Sequence, residues 1–156
     1  MRIIDNFLDD KNFKKIKDII FSTNFPWFYN EVVNRSDTKH SYFTHLVYHD
    51  NSVKSQHYVD LLPLLEQVKI DTLLRIKINC YPRSTTIEEH APHIDYDFSH
   101  KGILFSLNNC DGYTGIDNKK INSIKNRALL FDPSVSHFST NCTNAGARIN
   151  ININYV

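Results

Sequence analysis

From Arg148 to Tyr155 the chain alternates without a break: Arg148, Asn150, Asn152 and Asn154 share one face, and Ile149, Ile151, Ile153 and Tyr155 share the other. Only an extended strand has a side-chain period of two, so this segment is a β-strand whose faces meet different surroundings. The isoleucine face needs an apolar layer. The arginine–asparagine face needs a hydrated or hydrogen-bonded interior, because a buried arginine without a partner is costly. A strand with those two demands fits between covering helices and a polar cavity enclosed by a second sheet, the geometry of a double-sheet jelly roll.

The rest of the chain is consistent with that layout. Phe13, Ile16, Ile19 and Ile20 keep helical spacing among Lys14, Lys15 and Lys17, which predicts an amphipathic helix over 8–22 capped by Asp9 or Asp10. Tyr58, Leu61, Leu62, Leu65 and Val68 predict a second helix over 55–70, with Pro63 bending it or marking its start. Tyr42 to Tyr48 has strand-like content, and Leu74, Ile76, Ile78 and Cys80 alternate with Arg75, Lys77, Asn79 and Tyr81. Short apolar strands follow at 103–108 and 128–131, separated by turn signals at Asn109–Gly112, Asp117–Asn118 and Asn144–Gly146. Helices first and strands after, without βαβ alternation, give an α+β, mainly β class. At 156 residues the expectation is one domain, with a helical cover over 1–70 and a jelly-roll core over 72–156.

Composition excludes several classes. Hydrophobic content of 41% with 22% charged residues describes a globular chain rather than a disordered one. A net charge of +1 with no basic stripe argues against a nucleic-acid partner. No apolar run reaches membrane-spanning length, and the opening Met-Arg-Ile-Ile-Asp-Asn lacks the pattern of a signal peptide. Cys80, Cys110 and Cys142 are odd in number and have no C-x-x-C spacing, so neither a disulfide framework nor a thiolate zinc site is expected, and a cytoplasmic location fits.

The chemistry-bearing residues are His93-Ile94-Asp95, then His137, then Arg148. On extended backbone His93 and Asp95 project to one side while Ile94 points away. A second imidazole from His137 completes two nitrogens and one oxygen on one face of a metal, the arrangement of non-haem Fe(II) sites with open positions opposite. His-x-Asp alone is a weak signal; His137 and Arg148 in strand context strengthen it. An arginine fork on a cavity-facing strand matches a planar carboxylate bidentately. His90 does not form a helical zinc pair with a neighbour, because Pro92 disrupts the helix such a pair needs. His90, His100 and Asp97 are therefore read as supporting or surface residues.

With Tyr81-Pro82, His93-Ile94-Asp95, Phe131-Asp132-Pro133, His137 and Arg148 in place, the chain resembles the 2-oxoglutarate and Fe(II)-dependent oxygenases, in particular the prolyl 4-hydroxylase-like branch with its short phage-type members. The resemblance covers 72–156 well and the opening helix more loosely. It implies a double-stranded β-helix in which His93, Asp95 and His137 hold Fe(II), Arg148 pairs with the distal carboxylate of 2-oxoglutarate, and Tyr81 donates a hydrogen bond to that cosubstrate. Asn150 takes a place where many members carry a polar residue. The implied activity is hydroxylation of a substrate C–H bond with dioxygen, releasing succinate and carbon dioxide, on a small molecule or peptide such as a free amino acid or a prolyl residue. Phage encoding would place it in a host cytoplasm. Ser106 departs from the pattern where some members have a second cosubstrate tyrosine, and the glycine-rich stretch is reduced to Gly112-Tyr113-Thr114-Gly115. Tyr96, just after the metal-binding segment, is a candidate for lining the substrate mouth. The alternative class is a non-catalytic cupin-like or lectin-like jelly roll that binds a metal.

Overall fold

A computed structural model describes residues 1–156. Eleven strands and two α-helices follow one another as β1 (Arg2–Ile4), α1 (Asp10–Ile20), β2 (Phe28–Asn30), β3 (Tyr42–His49), β4 (Ser52–Val53), a 3-10 turn (Gln56–Leu61), α2 (Leu62–Leu65), β5 (Leu73–Pro82), β6 (Lys101–Ser106), β7 (Tyr113–Ile116), β8 (Lys119–Asn122), β9 (Arg127–Phe131), β10 (His137–Ser139) and β11 (Ala147–Tyr155). The major sheet runs β1-β9-β6-β11-β5-β3-β2 with β4 on β3, and a minor sheet runs β10-β7-β8. The expected mainly β jelly roll is therefore present, and β11 lies near the middle of its major sheet.

The two faces of β11 separate as their chemistry demands. Ile149, Ile151, Ile153 and Tyr155 join Ile76, Ile78, Ile103 and Phe105 in one core against Ile16 and Ile20 of α1 and Leu61 and Leu64 of the following helical turns. Each such side chain taken from water contributes on the order of 2 kcal/mol, which makes this layer the main source of stability. Helix α1 begins where Asp9 accepts from the Asn12 amide at 2.9 Å, satisfying an otherwise free N–H.

The helical cover over 1–70 is smaller than the sequence suggests. Helix α1 is 11 residues, the second helix is reduced to a 3-10 turn and the single turn Leu62–Leu65, and β1 to β4 also fall in this segment. Pro63 is the reason: it offers no N–H to an earlier carbonyl and its ring obstructs the preceding turn, so it stands at a helix start. Strand β3 adds directly to β5, extending the sheet into the supposed cover.

Between β7 and β8 the chain reverses through Asp117 and Asn118, with φ of 50° and 60°. Two consecutive left-handed residues form the turn whose twist matches the flanking strands, and Asp and Asn tolerate it. This hairpin holds the minor sheet opposite the polar face of β5 and β11, and the space between them is the cavity.

Candidate metal and carboxylate site

His93 and Asp95 do not sit in a ladder. The segment makes a single antiparallel bridge, in which the His93 amide donates to the His137 carbonyl at 2.9 Å and the His137 amide returns a bond at 3.0 Å. The Asp95 amide is held by the Pro133 carbonyl at 3.0 Å. This bridge reproduces the alternation expected of a strand: Ile94 is 46% exposed while its neighbours turn inward. It also couples the two histidines, whose ring centroids lie 4.5 Å apart.

One ligand atom from each of His93, Asp95 and His137 lies within 4.8 Å of the others. His137 Nδ1–H donates to the Val135 carbonyl at 2.9 Å, and Asn34 Nδ2 donates to the Ala91 carbonyl at 2.8 Å beside the His93 ring. His137 is thus held with Nδ1 protonated and Nε2 free for a metal, while His93 Nδ1 lies 3.3 Å from the Asn34 side-chain amide nitrogen and its Nε2 faces Asp95. Burial and the nearby His137 push His93 down to about 4, so it is neutral and ready to ligate at physiological pH. Asp95 is buried, which alone would raise its carboxyl, but Arg75 beside it more than compensates and keeps it ionised. Arg75 Nη2 lies 2.8 Å from Asp95 Oδ1, and Asn152 and Asn154 each donate to Oδ2 at 3.1 Å. His100 Nε2 in turn bonds Asn154 Oδ1 at 3.1 Å. This donor set fits a divalent iron.

The triad opens on a narrow cavity whose walls include Asn79, Tyr81, Thr114, Ser139, Asn150 and Asn152. Arg148 is 1% exposed beside Tyr81 and Thr114 and has no acidic partner. Its Nη2 donates to Thr114 Oγ1 at 2.7 Å and its Nη1 to the Thr140 carbonyl at 3.1 Å, while Nε has no acceptor. Asn150 Oδ1 accepts from Asn79 at 2.9 Å, leaving Asn150 Nδ2 unpaired. Unsatisfied buried donors around a guanidinium fit an anionic ligand with oxygen acceptors. Tyr81 stacks on Tyr42 with centroids 5.4 Å apart, and the Arg148 guanidinium lies 5.7 Å over its ring.

The molecule shares its shape with proteins of known structure. A prolyl hydroxylase from Trichoplax adhaerens, in complex with a hypoxia inducible factor oxygen degradation domain peptide fragment, superposes with a TM-score of 0.73 at 20% identity, over 99% of this chain and 82% of that one. The fold is that of the 2-oxoglutarate and Fe(II)-dependent oxygenases. A 2OG-Fe(II) oxygenase family oxidoreductase from Burkholderia pseudomallei gives 0.72 at 11% identity, over 98% and 83% of the two chains. A Pseudomonas putida prolyl-4-hydroxylase gives 0.67 at 9%, over 99% and 90%. No protein-family model and no curated protein matches the chain. No helix is long and apolar enough to cross a membrane.

Most of the candidate residues meet here, and one does not. His93, Asp95, His137, Tyr81 and Asn150 line the cavity, with Arg148 directly behind Thr114. Tyr96 lines neither this cavity nor the cleft outside it; its ring packs on the Arg75 guanidinium at 5.6 Å and on His100 at 5.3 Å. The turn after Asp95 carries it behind Arg75, so it supports the site rather than lining a mouth. The reduced glycine stretch also has a reason. A Cβ on Gly115 would meet the Phe138 ring at 2.2 Å, and Gly112 lies against Arg148. Residues that spacing could not single out are Arg75, Asn152 and Asn154, which hold Asp95, and Thr114, which holds Arg148. The only sequence signal for the first three is that they share the polar faces of β5 and β11 with Tyr81 and Arg148.

Proposed function

We propose that the protein is a 2-oxoglutarate-dependent hydroxylase that acts on a C–H bond of a small molecule or peptide, such as a free amino acid or a prolyl residue. The observation that carries this reading is Arg148: a fully buried guanidinium with an unsatisfied Nε, no acid to pair with, and a cavity wall of Thr114, Tyr81 and Asn150 in front of it. A dicarboxylate ligand supplies the missing partner. A jelly roll that only stores a metal has no use for such an arginine.

In this reading His93, Asp95 and His137 hold Fe(II) through Nε2, a carboxylate oxygen and Nε2. Fe(II) held there would supply the oxidative decarboxylation of 2-oxoglutarate by dioxygen, in which one oxygen atom enters succinate, the other enters the substrate C–H bond, and carbon dioxide leaves. Arg148 takes the far carboxylate of 2-oxoglutarate, and Asn150 Nδ2 and the Tyr81 hydroxyl offer further donors along its length. Arg75, Asn152 and Asn154 keep Asp95 ionised and oriented. Buried Leu8 and the α1 layer close the far side of the major sheet, while Phe131 and Phe138 limit water inside the cavity.

An anaerobic visible-absorption titration of the metal-free protein with Fe(II) and then 2-oxoglutarate tests the reading. The expected result is the metal-to-ligand charge-transfer band of a chelated keto acid, abolished in Asp95→Ala. Stoichiometric Fe(II) binding without the band overturns the cosubstrate assignment.

A further inference from the structure

Three cations stand on the solvent side of the triad. Arg35, Arg75 and Lys77 line an open cleft that reaches His93, Ile94 and Asp95. Lys77 also lines the inner cavity, so its side chain lies where cleft and cavity meet. Asp95 is the sole acidic residue on either surface, and its two oxygens are already taken by Arg75, Asn152 and Asn154.

Lys77 has no counter-ion of its own. Its ammonium makes one hydrogen bond, to the neutral Tyr42 hydroxyl at 3.2 Å, and lies 5.6 Å over the Tyr42 ring. Arg75 Nε beside it is buried and unpartnered.

Arg148 cannot be serving the same ligand group. Along the β5–β11 ladder Arg148 faces Tyr81, whereas Lys77 faces Asn152, four residues away or roughly 13 Å. Arg148 thus stands toward one end of the cavity, and Lys77 stands at the triad end, level with the Asn152 that holds Asp95. A dicarboxylate anchored on Arg148 and reaching toward the triad leaves Lys77 free for a second anion. No glycine and no helix N-terminus lines the cleft, so the converging backbone donors that favour phosphate are lacking.

We propose that Lys77, with Arg75 behind it, binds the carboxylate of the substrate, so that the enzyme acts on a free carboxylic acid such as an amino acid with an unblocked α-carboxylate, and not on a residue inside a peptide. This rests on the hydroxylase reading above. An internal prolyl residue offers an amide where the cleft offers an ammonium without a counter-ion, and an amide returns less for the ammonium's desolvation.

The test uses the Fe(II)-loaded protein with 2-oxoglutarate. The standard L-amino acids are added singly, and two signals are read: the shift of the charge-transfer band under anaerobic conditions, and succinate formation in air. Each responding acid is then compared with its carboxamide and with a capped tripeptide carrying the same residue in the middle. The expected result is at least one responding acid, with amide and tripeptide weaker by about tenfold or more. In Lys77→Met the acid-to-amide ratio falls to within about threefold of unity, and in Lys77→Arg part of the preference returns. Amide or tripeptide equal to the acid overturns the proposal, as does silence from every acid while the band itself is normal. An unchanged acid-to-amide ratio in Lys77→Met with weakened 2-oxoglutarate binding also overturns it, assigning Lys77 to the cosubstrate. Absence of the band in the unsubstituted protein instead removes the hydroxylase reading on which the proposal stands.

Discussion

Gly112 stands directly against Arg148: a Cβ at this position would lie 2.7 Å from Arg148 Cδ and 2.2 Å from the Asn141 carbonyl oxygen. The backbone oxygen cannot yield cheaply, so the arginine or its strand must move. Gly112→Ala is expected to destabilise the fold by about 1–3 kcal/mol and to weaken 2-oxoglutarate binding at least tenfold. Gly146, whose added methyl would meet nothing within 4 Å, is the control. Thermal denaturation and the absorption titration on both variants check this, and equal behaviour of the two would count against a clamped Arg148.

Removing the charge at Arg148 separates stability from binding. The guanidinium is buried with an unsatisfied Nε and no acid, so Arg148→Met is expected to leave folding stability within about 1 kcal/mol or raise it. The same change should lower 2-oxoglutarate affinity by about a hundredfold while Fe(II) still binds. Retained cosubstrate affinity in a well-folded Arg148→Met would remove this residue from the site.

Asn154 touches no ligand position yet holds one. Its amide donates to Asp95 Oδ2 at 3.1 Å and to Asn152 Oδ1 at 3.0 Å. Asn154→Ala is expected to weaken Fe(II) affinity by about 10–100-fold, as measured by competition with a chelator of known strength. Unaltered affinity would show that Arg75 and Asn152 suffice.

His90 sets an acid limit on stability. Burial, with the neighbouring His40 and Arg148, pushes it from an ordinary 6.5 down to about 4. The unfolded chain therefore takes up this proton between about pH 6.5 and 4 while the folded one does not, and stability falls as pH falls through that window. From pH 7 to pH 5 the loss from this residue is about 2 kcal/mol. His90→Phe should flatten the profile in urea denaturation at the two pH values; an unchanged slope would place the acid sensitivity elsewhere.

What could be read before the fold was known follows the range of the forces involved. The alternation of β11 and of β5, the turn at Asp117–Asn118 and the first helix are local patterns, and each reappears within a few residues of where spacing puts it. That His93, Asp95 and His137 come together was legible because the chemistry read into them restricts residue type as well as spacing. Strand β3 was harder, since its register shifts between Leu46 and Tyr48 and so breaks the period of two. The second helix was overdrawn because Pro63 overrides a good apolar pattern. The asparagines that orient Asp95 lie 57 and 59 residues away in sequence, a relation that only the closed sheet creates.

Strand β11, between β5 and β6, carries the buried Arg148, both asparagines that orient Asp95, and the isoleucines of the core. His93, Asp95 and His137 all precede it in chain order. A chain interrupted before residue 147 would therefore keep His93, Asp95 and His137 and still have no site, only two sheet fragments with unpaired edges facing each other. Truncation there should yield an aggregating species rather than a weakened enzyme.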